Sequence, residues 1–253
     1  MAYRYFIEMQ FNGKNFHGWQ SQPNALTIQS ELNEKTAMIL KEPVESVGAG
    51  RTDSGVHARY FVAHIDTQKA VKDIPSLVFK LNKILHKDIS ILNIYEVDKD
   101  AHARFSAVFR TYKYFISTRK DVFRKDLAWQ LFYNLQTDQM NLGAAEILKH
   151  SDFTSFSKLN TDVKTNICHI EESYWTIEKD LLIYTIKADR FLRNMVRAIV
   201  GTLISMGKGK LSLDQFTDII NAKDRCRAGE SAPAHGLHLW DIRYPFAPEQ
   251  ISV

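Results

Sequence analysis

Residues 50–58 read Gly-Arg-Thr-Asp-Ser-Gly-Val-His-Ala, and glycines surround the acidic residue of this stretch. Gly48 and Gly50 precede Asp53, and Gly55 follows it. Because glycine permits tight backbone conformations, the stretch predicts a loop that presents the Asp53 carboxylate outward. Such a loop is typical of a functional site, although an aspartate that only closes an Asx-turn gives the same local pattern.

Two neighbours of Asp53 have roles that the sequence leaves open. Arg51 could hold the turn or bind a phosphate, and its spacing favours neither. His57 has no partner at metal-ligand spacing, so packing within the loop is the favoured role and contact with RNA is the alternative.

Two other enzyme classes have related signatures and fit less well. In an aspartic protease two Asp-Ser/Thr-Gly loops share a proton, and an apolar strand leads into each acid. Here Arg51 and Thr52 precede Asp53, and a nearby guanidinium favours a separately ionised carboxylate. A zinc-dependent base deaminase needs a Pro-Cys-x-x-Cys sequence downstream of its His-x-Glu, and the chain has no Pro-Cys-x-x-Cys.

Composition permits a nucleic-acid partner without requiring one. The chain has 253 residues, 45% of them hydrophobic, and 33 basic against 29 acidic residues give a net charge of +4. No stretch approaches the roughly 18 apolar residues of a membrane span, so a cytoplasmic protein without a membrane association is expected. Cys168 and Cys226 lack metal-ligand spacing, which predicts reduced thiols and no metal site.

Hydrophobic periodicity predicts a mixture of strands and helices without regular βαβ alternation. The predicted strands cover residues 3–11, 44–48, 60–66, 89–97, 109–116, 167–178, 182–186 and 237–244. The predicted helices cover 28–39, with Thr27 as the cap, and 76–85, 140–150, 191–206 and 213–221. This pattern favours an α+β fold with a mixed, mostly antiparallel sheet. We expect two similar halves, 1–105 and 106–246, and a tail over 247–253.

The predicted helix over 191–206 carries an unusual set of arginines. At 100° per residue Arg190, Arg193, Arg197 and Gly201 fall on one stripe. A solvated helix face is the ordinary explanation of such a stripe. Arginine without interspersed lysine or glutamate favours a surface that binds phosphates or a carboxylate.

The predicted strand over 109–116 places aromatic residues on one face. Tyr112, Tyr114 and Arg110 alternate along the strand and therefore share a side. A role in the core is the default for strand tyrosines, and stacking on an extruded base is the functional alternative.

Taken together, residues 50–58 closely resemble the Gly-Arg-Thr-Asp-Ala-Gly-Val-His-Ala signature of the TruA family of tRNA pseudouridine synthases. The resemblance extends in order over nearly the whole chain. The matching stretches are 16–20 (Phe-His-Gly-Trp-Gln), 103–107 (Ala-Arg-Phe-Ser-Ala), 110–114 (Arg-Thr-Tyr-Lys-Tyr), 152–156 (Asp-Phe-Thr-Ser-Phe), 191–201, 222–225 (Ala-Lys-Asp-Arg) and 232–237 (Ala-Pro-Ala-His-Gly-Leu). The departures are Ser54 for alanine, Tyr60-Phe61 for Gly-Gln and His238 for tyrosine, and none removes a catalytic group.

The resemblance implies a fold and an activity. The fold is the pseudouridine-synthase architecture, with an active cleft between its two halves. The activity is the isomerisation of uridines 38, 39 and 40 in the anticodon arm of tRNA, without a cofactor. By resemblance Asp53 is the nucleophile, Arg197 pairs with it, and Tyr112 stacks on the base and assists with the C5 proton.

The resemblance also implies how the RNA is held. The target uridine must leave a stacked stem-loop, and Arg51, Arg190, Arg193 and His57 are the candidate RNA contacts. Family members act as homodimers that bind tRNA across both subunits. A non-catalytic RNA-binding protein on the same scaffold is the rival hypothesis, and retention of Asp53, Tyr112 and Arg197 argues against it.

Overall fold

In the computed structural model the chain forms two compact units, and residues 3–158 and 165–246 are described. Within these residues the first unit comprises 3–110 and 239–246, and the second comprises 111–158 and 165–238. The predicted tail over 247–253 lies outside the described residues. No helix in the described part of the chain is long and apolar enough to cross a membrane.

The described residues form nine strands and five α-helices, together with four short 3₁₀ helices. The strands are β1 (Tyr3–Phe11), β2 (Val47–Gly48), β3 (His57–Thr67), β4 (Ile89–Val97), β5 (Phe109–Ser117), β6 (Trp129–Gln130), β7 (Ile170–Glu178), β8 (Leu181–Ala188) and β9 (Leu237–Arg243). The helices are α1 (Ile28–Leu40), α2 (Ile74–Ile84), α3 (Thr137–Ile147), α4 (Met195–Gly207) and α5 (Leu213–Ala222). The α+β class predicted from the sequence is confirmed.

In the first unit the strand order is β4-β1-β3-β9, and the short β2 also pairs with β3. β1 is antiparallel to both β3 and β4. Its central residues Phe6, Ile7 and Met9 are completely buried, because β1 lies between two partners and is covered on its faces. Thr27 caps α1 through a reciprocal capping box with Ser30, as the sequence predicted for the start of this helix.

In the second unit the strands run in the order β5-β8-β7, and β6 adds a short parallel pair to β5. α4 is a core helix, since ten of its thirteen residues are buried. This burial excludes the amphipathic surface helix that is the ordinary explanation of an arginine stripe.

The start of α4 corrects the sequence-based prediction. The predicted helix began at residue 191, whereas the observed helix is Met195–Gly207. Asn194 has a φ of 66°, in the left-handed region, so the backbone cannot continue a right-handed helix through it. Arg190 and Arg193 therefore precede the helix, and the predicted stripe shared with Arg197 and Gly201 does not exist.

The chain segment before β9 packs against the side of α4 that contains Gly201 and Thr202. A Cβ atom on Gly201 would lie 1.8 Å from the carbonyl oxygen of Glu230, so only glycine allows this approach. At the next helix residue the hydroxyl of Thr202 accepts a hydrogen bond from the Gly229 N–H at 2.9 Å. The segment that contains Glu230 is thus fixed against the helix that carries Arg197.

We expect Gly201→Ala to destabilise the protein by about 1–3 kcal/mol, because the added methyl forces helix and segment apart. Alanine is intrinsically better than glycine inside a helix by about 1 kcal/mol, so a net loss would be a packing effect. Chemical denaturation measures the change. Ser205→Ala is the matched control, since Ser205 lies one turn further along the same helix side and its hydroxyl bonds only within the helix, to the Gly201 carbonyl. Equal stability of Gly201→Ala and the control would contradict the close approach.

Candidate active site

The loop that carries Asp53, residues 49–55, is fixed on both sides of the carboxylate. On one side the Trp19 N–H donates to the Thr52 carbonyl at 3.4 Å. On the other, the Gly55 N–H donates to the Phe16 carbonyl at 3.3 Å. Asp53 itself is half-buried. The backbone of residues 16–19 therefore holds the loop backbone on both sides of Asp53.

Two glycines, Gly13 and Gly18, allow the backbone of this stretch to lie against the backbone of residues 52–56. A Cβ atom on Gly13 would lie 2.0 Å from the Val56 carbonyl oxygen, and one on Gly18 would lie 2.3 Å from the Thr52 carbonyl oxygen. Gly18 also has a φ of 85°, in the left-handed region that other residues adopt at a cost. The segment over residues 13–19, here named the 13–19 segment, can approach the Asp53 loop only with glycine at both positions.

Aromatic packing supports the 13–19 segment from the other side. The rings of Trp19 and Phe61 lie 4.5 Å apart, centroid to centroid, and both residues are buried. A Cβ atom on Gly48 would lie 2.5 Å from the Trp19 ring, so the start of the Asp53 loop also rests on this tryptophan. Sequence reasoning noted the aromatic stretch but missed its function as the support of the loop. The sequence signal for this function was Gly18, the glycine within the aromatic stretch.

The structure favours loop packing over RNA contact for His57. Its side chain is 2% exposed, and Nδ1 accepts a hydrogen bond from the Gly13 N–H at 3.1 Å. The His57 side chain thus links the end of the Asp53 loop to the 13–19 segment. Because its ring is buried, it is not available to a ligand on the surface. Arg51, in contrast, is exposed.

In the second unit, Arg197 is oriented by the backbone of the segment that follows Glu230. Its Nε donates to the Ala232 carbonyl at 2.7 Å, and its own carbonyl accepts from the Ala232 N–H at 3.0 Å. One hydrogen bond through Nε fixes the plane of a guanidinium, because the group is rigid and planar. The half-buried Arg197 is therefore held in a defined orientation.

Arg225 is a structural residue near Arg197 that sequence reasoning did not single out. Its guanidinium donates to the Gly229 carbonyl at 3.1 Å and to the Ser231 hydroxyl at 3.0 Å. Asn194 donates to the same hydroxyl at 2.6 Å. The side chains of Arg225 and Asn194 thus anchor residues 229–231, which directly precede Ala232, the hydrogen-bond partner of Arg197.

The tyrosines of β5 have different environments. Tyr112 is half-buried, and its ring packs edge-to-face on Phe191 with the centroids 5.0 Å apart. Tyr114 is completely buried and donates to the Pro233 carbonyl at 2.8 Å, and burial raises its pKa. Tyr114 therefore belongs to the core, while Tyr112 remains the candidate for stacking on a base.

The two arginines that precede α4 are anchored through their backbone. The Arg190 N–H donates to the Asp189 carboxylate at 2.7 Å, and the Arg193 carbonyl accepts from the Lys158 N–H at 3.0 Å. Arg193 is exposed and Arg190 is half-buried.

The side chains that could ligate a metal ion are dispersed over the described residues. Within 3–158 and 165–246, no group of three or more His, Cys, Asp or Glu side chains is arranged to hold a metal ion. Cys168 and Cys226 are both free thiols, and burial raises the pKa of Cys168 to about 12.

Comparison with known proteins identifies the family. A family model described as tRNA pseudouridine synthase matches residues 146–245. The tRNA pseudouridine synthase A of Parabacteroides distasonis is 52% identical over 242 residues, which is 96% of each chain. That of Bacteroides fragilis is 49% identical over 243 residues, and that of Bacillus subtilis is 40% identical over 240 residues. The chain belongs to the tRNA pseudouridine synthase family.

The matches to these relatives extend over both units of the chain. The family model covers Arg197 and its surroundings, and the alignments to the relatives reach 93% or more of this chain. The membership predicted from the Asp53 stretch is therefore confirmed by sequence well beyond that stretch.

We expect Gly18→Ala to displace the Asp53 loop. The methyl would meet the Thr52 carbonyl, and the left-handed φ adds roughly 1–2 kcal/mol of strain. Thermal unfolding should therefore show a loss of stability, and any catalysis through Asp53 should fall with it.

Gly50→Ala is the matched control, because a Cβ atom there has no neighbour within 4 Å. It should unfold close to the wild-type temperature. If Gly18→Ala were as stable and active as Gly50→Ala, the 13–19 segment would not be what fixes the loop.

Proposed function

We propose that this protein converts uridine to pseudouridine in the anticodon arm of tRNA, at positions 38, 39 and 40. The observation that carries the proposal is a half-buried carboxylate, Asp53, on a loop whose backbone is fixed on both sides. Membership of a family whose related proteins are named tRNA pseudouridine synthase A supports the proposal.

Asp53 is the nucleophile in this proposal. The N1–C1′ bond of the uridine breaks, the uracil turns, and a C5–C1′ bond forms. C5 loses its proton and N1 gains one, so the product is an isomer and the reaction needs no cofactor. A carboxylate suits these steps because it can attack, leave and stabilise positive charge on the sugar while it stays ionised.

Arg197 and Tyr112 complete the proposed chemistry. A guanidinium close to a carboxylate favours its charged form, and we assign this role to Arg197. Its hydrogen bonds to Ala232 supply the rigidity that such a partner requires. Tyr112 stacks on the base and assists with removal of the C5 proton, and its contact with Phe191 sets the ring orientation.

Binding of the RNA must supply the free energy for base extrusion. Flipping a uridine out of a stacked stem-loop costs a few kcal/mol, which contacts between basic side chains and phosphates offset. Arg51, Arg190 and Arg193 are the proposed phosphate contacts. We further propose that the protein acts in the cytoplasm as a homodimer that binds one tRNA across both subunits.

We expect Asp53→Asn to abolish pseudouridine formation and to leave tRNA affinity within a few-fold of the wild-type value. The nucleophile contributes to chemistry and not to phosphate binding. Unmodified tRNA transcripts provide the substrate for both measurements.

Ser54→Ala is the control for this variant. It changes the adjacent, exposed residue to the alanine usual in the family, and it should keep full activity. Substantial turnover by Asp53→Asn would remove Asp53 from its role. A wild-type protein that binds tRNA without forming pseudouridine would support the non-catalytic RNA-binding hypothesis instead.

The arginines should separate into two classes. Arg197→Lys keeps the charge and loses the planar geometry, so single-turnover rates should fall strongly while the salt dependence of binding stays unchanged. Arg193→Ala or Arg190→Ala should weaken binding and lower the slope of log affinity against log salt by about one unit for each phosphate that the variant no longer binds. Normal turnover by Arg197→Lys with a reduced salt slope would make Arg197 a phosphate-binding residue.

A further inference from the structure

Residues 102–106 of the first unit form a turn, here named the Phe105 turn, whose backbone N–H groups are all bonded. The His102 N–H donates to the Ser106 hydroxyl and the Ser106 N–H returns to the His102 carbonyl, both at 2.9 Å. The N–H groups of Arg104 and Phe105 both donate to Nδ1 of His102, at 3.1 and 3.3 Å. A surface turn with every donor occupied is unusually rigid.

A second histidine holds the remaining N–H group of the turn. Nδ1 of His64 accepts from the Ala103 N–H at 3.1 Å, and His64 is buried. Burial and the nearby Arg4 guanidinium lower the pKa of His64 to about 4, and burial with the same arginine lowers the pKa of His102. At neutral pH both rings are uncharged, so Nδ1 of each ring can accept a hydrogen bond while Nε2 carries the proton.

The carbonyl groups connect the turn to the Asp53 loop. Nη2 of Arg110 donates to the Arg104 carbonyl at 2.5 Å and to the Ala49 carbonyl at 3.1 Å, which uses both hydrogens of one nitrogen. Ala49 begins the Asp53 loop. The turn and the start of the Asp53 loop thus share a single anchoring atom, Nη2 of Arg110.

This rigid turn leaves an aromatic side chain in solvent. Phe105 is 75% exposed, although it is a large apolar residue. The guanidinium carbon of Arg104 lies 5.4 Å from the centre of the Phe105 ring, and the His102 ring lies 4.4 Å from it. An exposed ring on a fixed backbone, beside a cation, has the chemistry that stacks an unpaired base next to a phosphate.

We propose that Phe105 and Arg104 form a stacking site for an unpaired nucleobase of the RNA substrate, separate from the base that reacts. The inference rests on the proposed function, which supplies an RNA at the Asp53 loop. Stacking recognises the face of any base, so the site adds affinity and register without reading sequence. Because the turn is already ordered, little conformational entropy is lost when a base binds.

The test measures RNA affinity of the full chain in the Asp53→Asn background, with an unmodified anticodon stem-loop at several salt concentrations. Phe105→Ala should weaken binding roughly 5- to 100-fold, the usual effect of removing a stacked aromatic, with an unchanged salt slope. Phe105→Trp should restore the affinity because it keeps a π face, whereas Phe105→Leu should not.

The chain contains a matched control for the exposed ring. Phe79 is 63% exposed in the same unit, and Lys83 lies 5.4 Å from its ring centre, the same separation as in the Arg104 pair. Phe79 lies on α2, within a helix and not in a hydrogen-bonded turn tied to Ala49. Phe79→Ala should leave RNA affinity unchanged.

Three outcomes would overturn the stacking site. They are wild-type affinity in Phe105→Ala, full rescue by Phe105→Leu, and an affinity loss that is fully explained by dissociation of a dimer at the same protein concentration. Binding in the Asp53→Asn background does not depend on turnover, so this test stands even if the wild-type protein forms no pseudouridine.

Discussion

The structure of the candidate active site depends on the close approach of two backbones, that of the 13–19 segment and that of the Asp53 loop. The approach requires glycine at positions 13 and 18, since a side chain at either would overlap a carbonyl oxygen. A carboxylate with the nucleophilic role proposed for Asp53 must be held within a fraction of an ångström of its productive position. A loop fixed by backbone contacts meets this condition without relying on its own sequence to be rigid.

The second unit achieves rigidity by a different means, through arginines bonded to backbone carbonyls. Arg197 and Arg225 both donate to carbonyls of the segment before β9. The planar guanidinium has several donors in fixed directions, so one bond to a carbonyl orients the whole group. Arg197 combines two functions, because its guanidinium carries a charge and also fixes the local structure through its hydrogen bond to the Ala232 carbonyl.

Histidines provide a third type of support. His57, His64 and His102 each accept backbone N–H groups through Nδ1, and each therefore serves the fold as a hydrogen-bond acceptor. Protonation of Nδ1 would replace an acceptor by a donor that faces another donor. For His64 and His102 the lowered pKa keeps the acceptor intact at neutral pH, which preserves the turn that presents Phe105.

The sequence by itself determined the α+β class, the central residues of most helices and strands, and the family, because hydrophobic periodicity and a long motif are local properties. It also located Asp53 on a loop through the surrounding glycines. It failed at the start of α4, where Phe191 and Leu192 extend the apolar pattern of the helix, whereas the left-handed Asn194 makes the helix begin only at Met195.

Only the tertiary structure decided what each side chain contacts. It placed Tyr114 in the core and Tyr112 at its edge, buried His57 beneath the loop, and directed Arg110 to two backbone carbonyls. These outcomes depend on residues far apart in the chain, such as Ala49 with Arg110 or Arg197 with Ala232. Sequence spacing carries no information about such contacts, because the chain between them folds back by a path that local patterns do not specify.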